Sequence, residues 1–486
     1  MLTALLAELE ADTGADAGAA FAALVAHYFA ETREERGPVS TPRAPIALAA
    51  RFAEPLPARG RPLAEVLARV ERDVLGDSNR LYHPMYMGHQ VSAPLPAAVW
   101  AESLIAALNQ SLAVFEMSPA ATAIEHQLVR WMCDLAGFPA GAGGTLTSGG
   151  TEATFTALLA ARSQAIPDVW QRGMHGEPPV VVCGEHAHYA VTRAAGAMGL
   201  GLASVVLVPS RAWQMDVAAL SATLEGLRAA GRRVMAVVAT SGSTATGSFD
   251  DLAAIAALCD ERGIWLHVDG AHGASALLSA EHRHRLRGIE RARSVAWDPH
   301  KMMLLPLSAG MVLVREERDL AGAFAQRAPY LFHHRDAEDE ERIWDQGVRS
   351  FQCSRRADAL KLWLALQRYG ADGMGLLYDH LCATTRALHA AVAARPDFEA
   401  LHEPECNILC FRYVGDGSLD DAALDALNRE LRERYNRSGA GWITATTLGG
   451  RRVLRVTVMN PRTTPAHVVR MLDGVAALAA EGVTAA

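Results

Sequence analysis

The sequence predicts an α/β protein built on a mostly parallel sheet, and three observations carry that expectation. Short apolar, β-branched runs recur through the middle of the chain, at 180–183, 204–208, 234–239, 264–268, 294–297 and 310–314. Stretches of helical periodicity, such as 251–259, lie between several of them. Beyond 371 two more strand-like runs, 401–413 and 452–458, alternate with helices. Strands separated by crossover helices are buried on both faces and run parallel, which accounts for their unbroken apolar character.

Taken in chain order, residues 1–95 are alanine-rich and helical in texture, with an apolar stripe at 63–70. Gly37 and the prolines at 38, 42 and 45 exclude regular helix there, because proline lacks the amide a helix interior needs. Such a segment is expected to wrap over another part of the protein. Residues 96–370 form the expected α/β domain, and 371–486 a smaller α+β domain. At 486 residues and 52.0 kDa the chain exceeds what one small core holds.

Half the residues are hydrophobic, 21% are charged, and the formal net charge is -8. No basic tract suggests nucleic acid. The first ten residues lack a cationic lead and a long apolar core, so they do not read as a signal peptide. No apolar run approaches a membrane span. Seven scattered cysteines form no CxxC pair, which fits reduced thiols in a cytoplasm.

Chemistry concentrates around one residue. Lys301 and Lys361 are the only lysines among 46 basic side chains. Arginine supplies charge and a planar fork, but it does not readily lose a proton to become a nucleophile; lysine does. Lys361 lies on a helical pattern and reads as a solvated or snorkelling residue. Lys301 follows the apolar run 294–297 and is preceded by Asp298 and His300. Three other segments fall at strand ends, where open α/β sheets bind ligands. Gly149, Gly150 and Thr151 open a helix, suited to an anion or to a plain capped turn. Asp269 ends a buried strand, where it either meets a cationic ring nitrogen or caps a helix. His188, after the run 180–183, is placed to lie against a ring. The pairs His186/His188 and His282/His284 have no evident third partner, so no metal site is expected.

In the order glycine loop, imidazole, strand-end aspartate and His-Lys, the chain resembles the group II pyridoxal-phosphate (PLP) amino-acid decarboxylases of fold type I. Their glutamate, diaminobutyrate and aromatic amino-acid members share His-Val-Asp-x-Ala (267–271), the run 282–292, Ser-Val-x-x-Asp-x-His-Lys (294–301) and Gln-Cys-x-Arg (352–355). Asn109-Gln-Ser, with Ser118-Pro-Ala-Ala-Thr122 after it, is similar to diaminobutyrate enzymes; Tyr330-Leu-Phe332 and Gln352-Cys353 are similar to glutamate enzymes. The resemblance implies that Lys301 forms the Schiff base with PLP and that Asp269 pairs with the ring nitrogen. His188 and Ala271 would flank the ring, with Thr244 beside it. Gly149, Gly150, Thr151 and His300 would hold the phosphate. Arg355 would clamp the substrate carboxylate, or else form a surface ion pair. The implied reaction is decarboxylation of a small acidic or diamino L-amino acid by a cytoplasmic homodimer with active sites at the subunit interface.

Three departures qualify that expectation. The loop after Phe332 carries no tyrosine to return a proton to the product, leaving His333 or His334, or a merely solvated loop. Asp298 stands where glutamate and aromatic enzymes have asparagine, and is expected to turn away from the phosphate or to be hydrogen-bonded. The segment 85–90 differs from that of glutamate enzymes and argues against glutamate as substrate. Oxidative deamination to an aldehyde, carbon–carbon lysis and a non-enzymatic scaffold are the competing readings.

Overall fold

The computed structural model describes residues 2–324, 328 and 344–483. A seven-stranded sheet comprises β1 (Gly143–Thr147), β2 (Val180–Gly184), β3 (Val205–Val208), β4 (Val234–Thr240), β5 (Trp265–Asp269), β6 (Ser294–Trp297) and β7 (Gly310–Val314). Their spatial order is β1-β7-β6-β5-β4-β2-β3. Strands β6, β5, β4, β2 and β3 pair parallel, while β7 runs antiparallel to both β1 and β6. The sheet is therefore mixed and mostly parallel. The apolar runs became its strands; β1, Gly-Gly-Thr-Leu-Thr, was missed because glycine is depleted in strands. A Cβ at Gly144 would sit 2.5 Å from the Val312 carbonyl oxygen, so the pairing with β7 requires glycine there.

The helix Gly150–Ala165 lies on this sheet. Its Ala153 and Ala157 pack with Ala296, Val312, Val314 and Leu320, small side chains letting helix and strands approach closely. Its Leu158, Leu159 and Ala161 join Val181, Val238 and Trp265 in a second cluster. The helix Leu252–Arg262 starts where Asp251 accepts from the Ala254 amide, an ordinary N-cap.

His267, at the centre of β5, is fully buried, with Nδ1 2.9 Å from Ser294 Oγ and Nε2 3.3 Å from Thr154 Oγ1. Burial drives its pKa down to about 3. Between pH 6.5 and that value the unfolded chain binds a proton that folded His267 refuses. Its contribution to stability is thus complete above the unfolded value and lost as pH falls, by about 1.4 kcal/mol per pH unit. Urea midpoints measured down this range should fall less steeply in His267→Gln.

A second sheet comprises β8 (Phe398–Ala400), β9 (Ile408–Tyr413), β10 (Thr444–Leu448) and β11 (Arg451–Thr457), in the order β8-β9-β11-β10. The strand expected over 401–413 begins only at Ile408. Pro404 interrupts the earlier part, and the Glu405 carboxylate is taken by Gln214, Arg285 and the Phe249 amide. Two compact units result: residues 1–89, 387–401 and 410–486 form one, and 90–386 with 402–409 form the other. The division at 95 and 370 read from the sequence stands as a proposal beside them. In the first unit, Val39 N–H donates to the Gly439 carbonyl and Tyr86 stacks on Trp442, their ring centroids 6.4 Å apart.

Candidate active site

Strand register brings the chemistry to one edge of the large sheet. Thr240 lies opposite Asp269, Asp269 opposite Ala296, Trp297 opposite Met311, and Thr147 opposite Gly310. The loops leaving β1, β2, β4, β5 and β6 therefore converge at their carboxyl ends, the usual ligand position in such sheets. A cavity of about 340 Å³ opens there. Gly149, Gly150 and Thr151 line it from the helix start, His188 from beyond β2 and Thr244 from beyond β4. Asp269 and Ala271 line it from the end of β5, and His300 and Lys301 from the turn after β6.

The glycines at the helix start are a packing requirement. A Cβ on Gly150 would meet Ala271 Cβ at 2.7 Å and Asp298 Oδ2 at 3.0 Å. One on Gly310 would come within 2.4 Å of Gly149 Cα. Ser148 closes the turn, its N–H and Oγ donating to Glu152 Oε2 at 2.8 and 2.6 Å.

Asp269 is buried, and its Oδ1 accepts from the Ala271 amide at 3.2 Å. Burial pushes this carboxyl up, and the opposing pull of Lys301, the Ala271 amide and His188 does not cancel it. A cationic partner in the cavity would oppose that rise. His188 is held below its ordinary value, burial outweighing the attraction of Asp269. Its Nδ1 accepts from the Ala190 amide at 3.3 Å, which places the proton of the neutral ring on Nε2. Burial also lowers His300, whose Nδ1 accepts from the Ala309 amide at 3.1 Å while its own amide donates to the Ala309 carbonyl.

Of the two outcomes expected for Asp298, it is paired rather than turned away: it lines the cavity, with Oδ2 3.0 Å from Lys301 Nζ and 3.5 Å from His300 Nε2. One expectation needs correction. Lys361 is not solvated; its side chain has no exposure. Its Nζ lies 2.7 Å from Glu102, 3.1 Å from Asp358 and 2.6 Å from the Ser308 carbonyl. Helical periodicity identified its face but not what covers it. It anchors the segment carrying Leu307, which lines the cavity. Lys361→Met removes a buried ammonium from Glu102 and Asp358, which retain Arg356, at 2.6 and 3.6 Å, and should cost about 1–3 kcal/mol of stability in urea unfolding.

Arg355 is not on the cavity wall. Its Nη1 and Nη2 donate to Glu125 at 2.8 and 2.7 Å, a buried fork-to-carboxylate pair. Glu125 Oε1 also accepts from the Leu146 amide at 3.1 Å, tying the pair to β1. Tyr330, Leu331, Phe332, His333 and His334 lie outside the described residues. Of the histidine pairs, His186 Nε2 bonds Ser210 Oγ at 3.0 Å, apart from His188. His282 meets Glu281 and Asp379, where Arg386 already supplies the cation, 3.1 Å from both His282 Nε2 and Glu281 Oε1. Ser148, Thr240, Gly242, His272 and Leu307 line the cavity without having been assigned there. His272 was within reach of sequence reasoning, three residues past Asp269. Leu307 was not, since only the fold around Lys361 brings it in.

An amine, a buried strand-end carboxylate and a neutral imidazole surround a cavity whose helix start offers amides to an anion. The glycine cradle and the desolvated Asp269 fit PLP, and together they define a PLP-type active site on an α/β fold. Residues 52–414 match the pyridoxal-dependent decarboxylase conserved domain, and the chain belongs to that family.

It is 36% identical over 433 residues to L-2,4-diaminobutyrate decarboxylase of Rhizobium meliloti (strain 1021), covering 88% of this chain and 84% of that one. It is 34% identical over 417 residues to cysteine sulfinic acid decarboxylase of Mus musculus, covering 84% of each. The crystal structure of the glutamate decarboxylase domain of diaminobutyrate-pyruvate transaminase and L-2,4-diaminobutyrate decarboxylase from Vibrio parahaemolyticus aligns over 95% of each chain, with a TM-score of 0.83 and 30% identity. The protein is a PLP-dependent carboxy-lyase that converts an amino acid to an amine. Among the described residues no helix is long and apolar enough to cross a membrane.

Proposed function

We propose that the substrate is a small acidic or diamino L-amino acid, and that Lys301, Asp269 and His188 carry its decarboxylation. The observation behind the residue assignment is the convergence of these three side chains on one cavity at the carboxyl edge of the sheet. The substrate class rests on the relatives, named for diaminobutyrate and cysteine sulfinic acid. When bound, PLP withdraws the electron pair left on Cα as carbon dioxide departs.

The protein's share is placement and electrostatics. Lys301 Nζ would hold the cofactor through its aldehyde carbon until a substrate amine takes that place. Asp269 would hold a proton on the ring nitrogen. His188, neutral and fixed through Nδ1, offers a flat face to the ring. The amides of Gly150 and Thr151, at the positive end of the helix Gly150–Ala165, receive the phosphate.

A homodimer is part of the same proposal. Leu2, Leu5, Leu6 and Leu9 form one stripe on the helix Leu2–Asp12, each more than half exposed, a face suited to a second copy. A cytoplasmic setting is supported by seven cysteines without a disulfide. Carbon dioxide release from a panel of the common amino acids plus 2,4-diaminobutyrate tests the reading. Release confined to acidic or diamino acids is expected; release only from aromatic ones would overturn the substrate class. Ammonia and aldehyde among the products would instead favour oxidative deamination.

A further inference from the structure

Asp298 is one of two carboxylates on the cavity wall among the described residues, and the reaction just described gives it no task. Its side chain is nearly inaccessible, Oδ2 contacts Lys301 Nζ at 3.0 Å, and Oδ1 has no hydrogen-bond partner among the described residues. The same carboxylate lies against the helix start: a Cβ on Gly150 would be 3.0 Å from Oδ2, and one on Gly310 2.8 Å from Oδ1. It therefore faces both ends of the arriving cofactor, the amine that must react and the amides that must take the phosphate.

We propose that Asp298 restrains cofactor capture, pairing with Lys301 in the cofactor-free protein and setting a negative charge beside the phosphate cradle. This rests on the reading of the cavity as the PLP site. Capture requires the amine lone pair to attack the aldehyde carbon. In the ion pair that lone pair is held by a proton, which must first leave for solvent through the open cavity. The carbon–nitrogen bond then forms and the aldehyde oxygen departs as water. Neutralising Asp298 removes the pairing and the repulsion together, so loading becomes easier. A residue that only braced the fold would produce the opposite effect when altered.

Cofactor-stripped wild-type, Asp298→Asn and Asp298→Ala chains are mixed with pyridoxal 5'-phosphate and the visible absorbance is followed over time. Both variants should load faster than wild type and bind more tightly, by about tenfold, the lower end of what one adjacent charge does. Asparagine keeps the shape and alanine removes the group, so agreement between them assigns the effect to charge. Wild type that loads while neither variant loads faster overturns this inference alone. Wild type that takes up no cofactor overturns the functional reading as well.

Discussion

Lys301→Ala is expected to abolish carbon dioxide release, lowering it by at least about 10⁴-fold, or ~5.5 kcal/mol of transition-state stabilisation. The visible absorbance of the loaded protein should vanish with it. Alanine leaves nothing to tether the aldehyde carbon. Lys301→Arg should fail as completely, because a guanidinium keeps its proton at any pH the fold survives. The chain otherwise writes arginine almost everywhere, so the arginine variant asks directly why lysine stands here. Retention of even a hundredth of wild-type release in either variant would remove Lys301 from its assigned role.

Asp269→Asn should cost about 10³-fold in kcat/KM, ~4 kcal/mol. The substitution is isosteric, and the Oδ1 bond from the Ala271 amide survives on the asparagine carbonyl, so packing should be spared. What disappears is the negative charge. Burial pushes the Asp269 carboxyl up, a cost to its charged form. A protonated ring nitrogen would offset that cost, and the resulting pair would keep the ring electron-poor. Asparagine cannot hold that proton. The loss should therefore fall on kcat more than on KM, with weaker retention of cofactor on dialysis. A variant with unchanged kcat would mean that Asp269 is a structural cap and nothing more.

Much of this was legible from residues alone, for identifiable reasons. Strands β2 and β4 to β7 showed themselves because inner strands are apolar on both faces, which leaves unbroken β-branched runs in the sequence; β3 carries such a run although it lies at the sheet edge and is partly exposed. Strand β1 did not, since its glycines answer to the Val312 carbonyl and to Glu317, contacts more than 150 residues away. The cavity assembled as expected because its residues sit at strand ends, where local sequence sets position. Arg355 is different. Glu125, 230 residues earlier, already takes both of its terminal nitrogens, and nothing near Gln352-Cys-x-Arg announces that partner. Lys361 was misjudged by equating a helical pattern with a wet face.

The lone reversed strand, β7, has a mechanical consequence. The chain leaves β6, passes through Lys301 and returns directly into β7, which is seated between β6 and β1. The reactive nitrogen thus hangs from a bight of chain whose two legs are both stitched into inner strands. Lengthening that bight by inserted residues would slacken it and let the nucleophile wander from its electrophile.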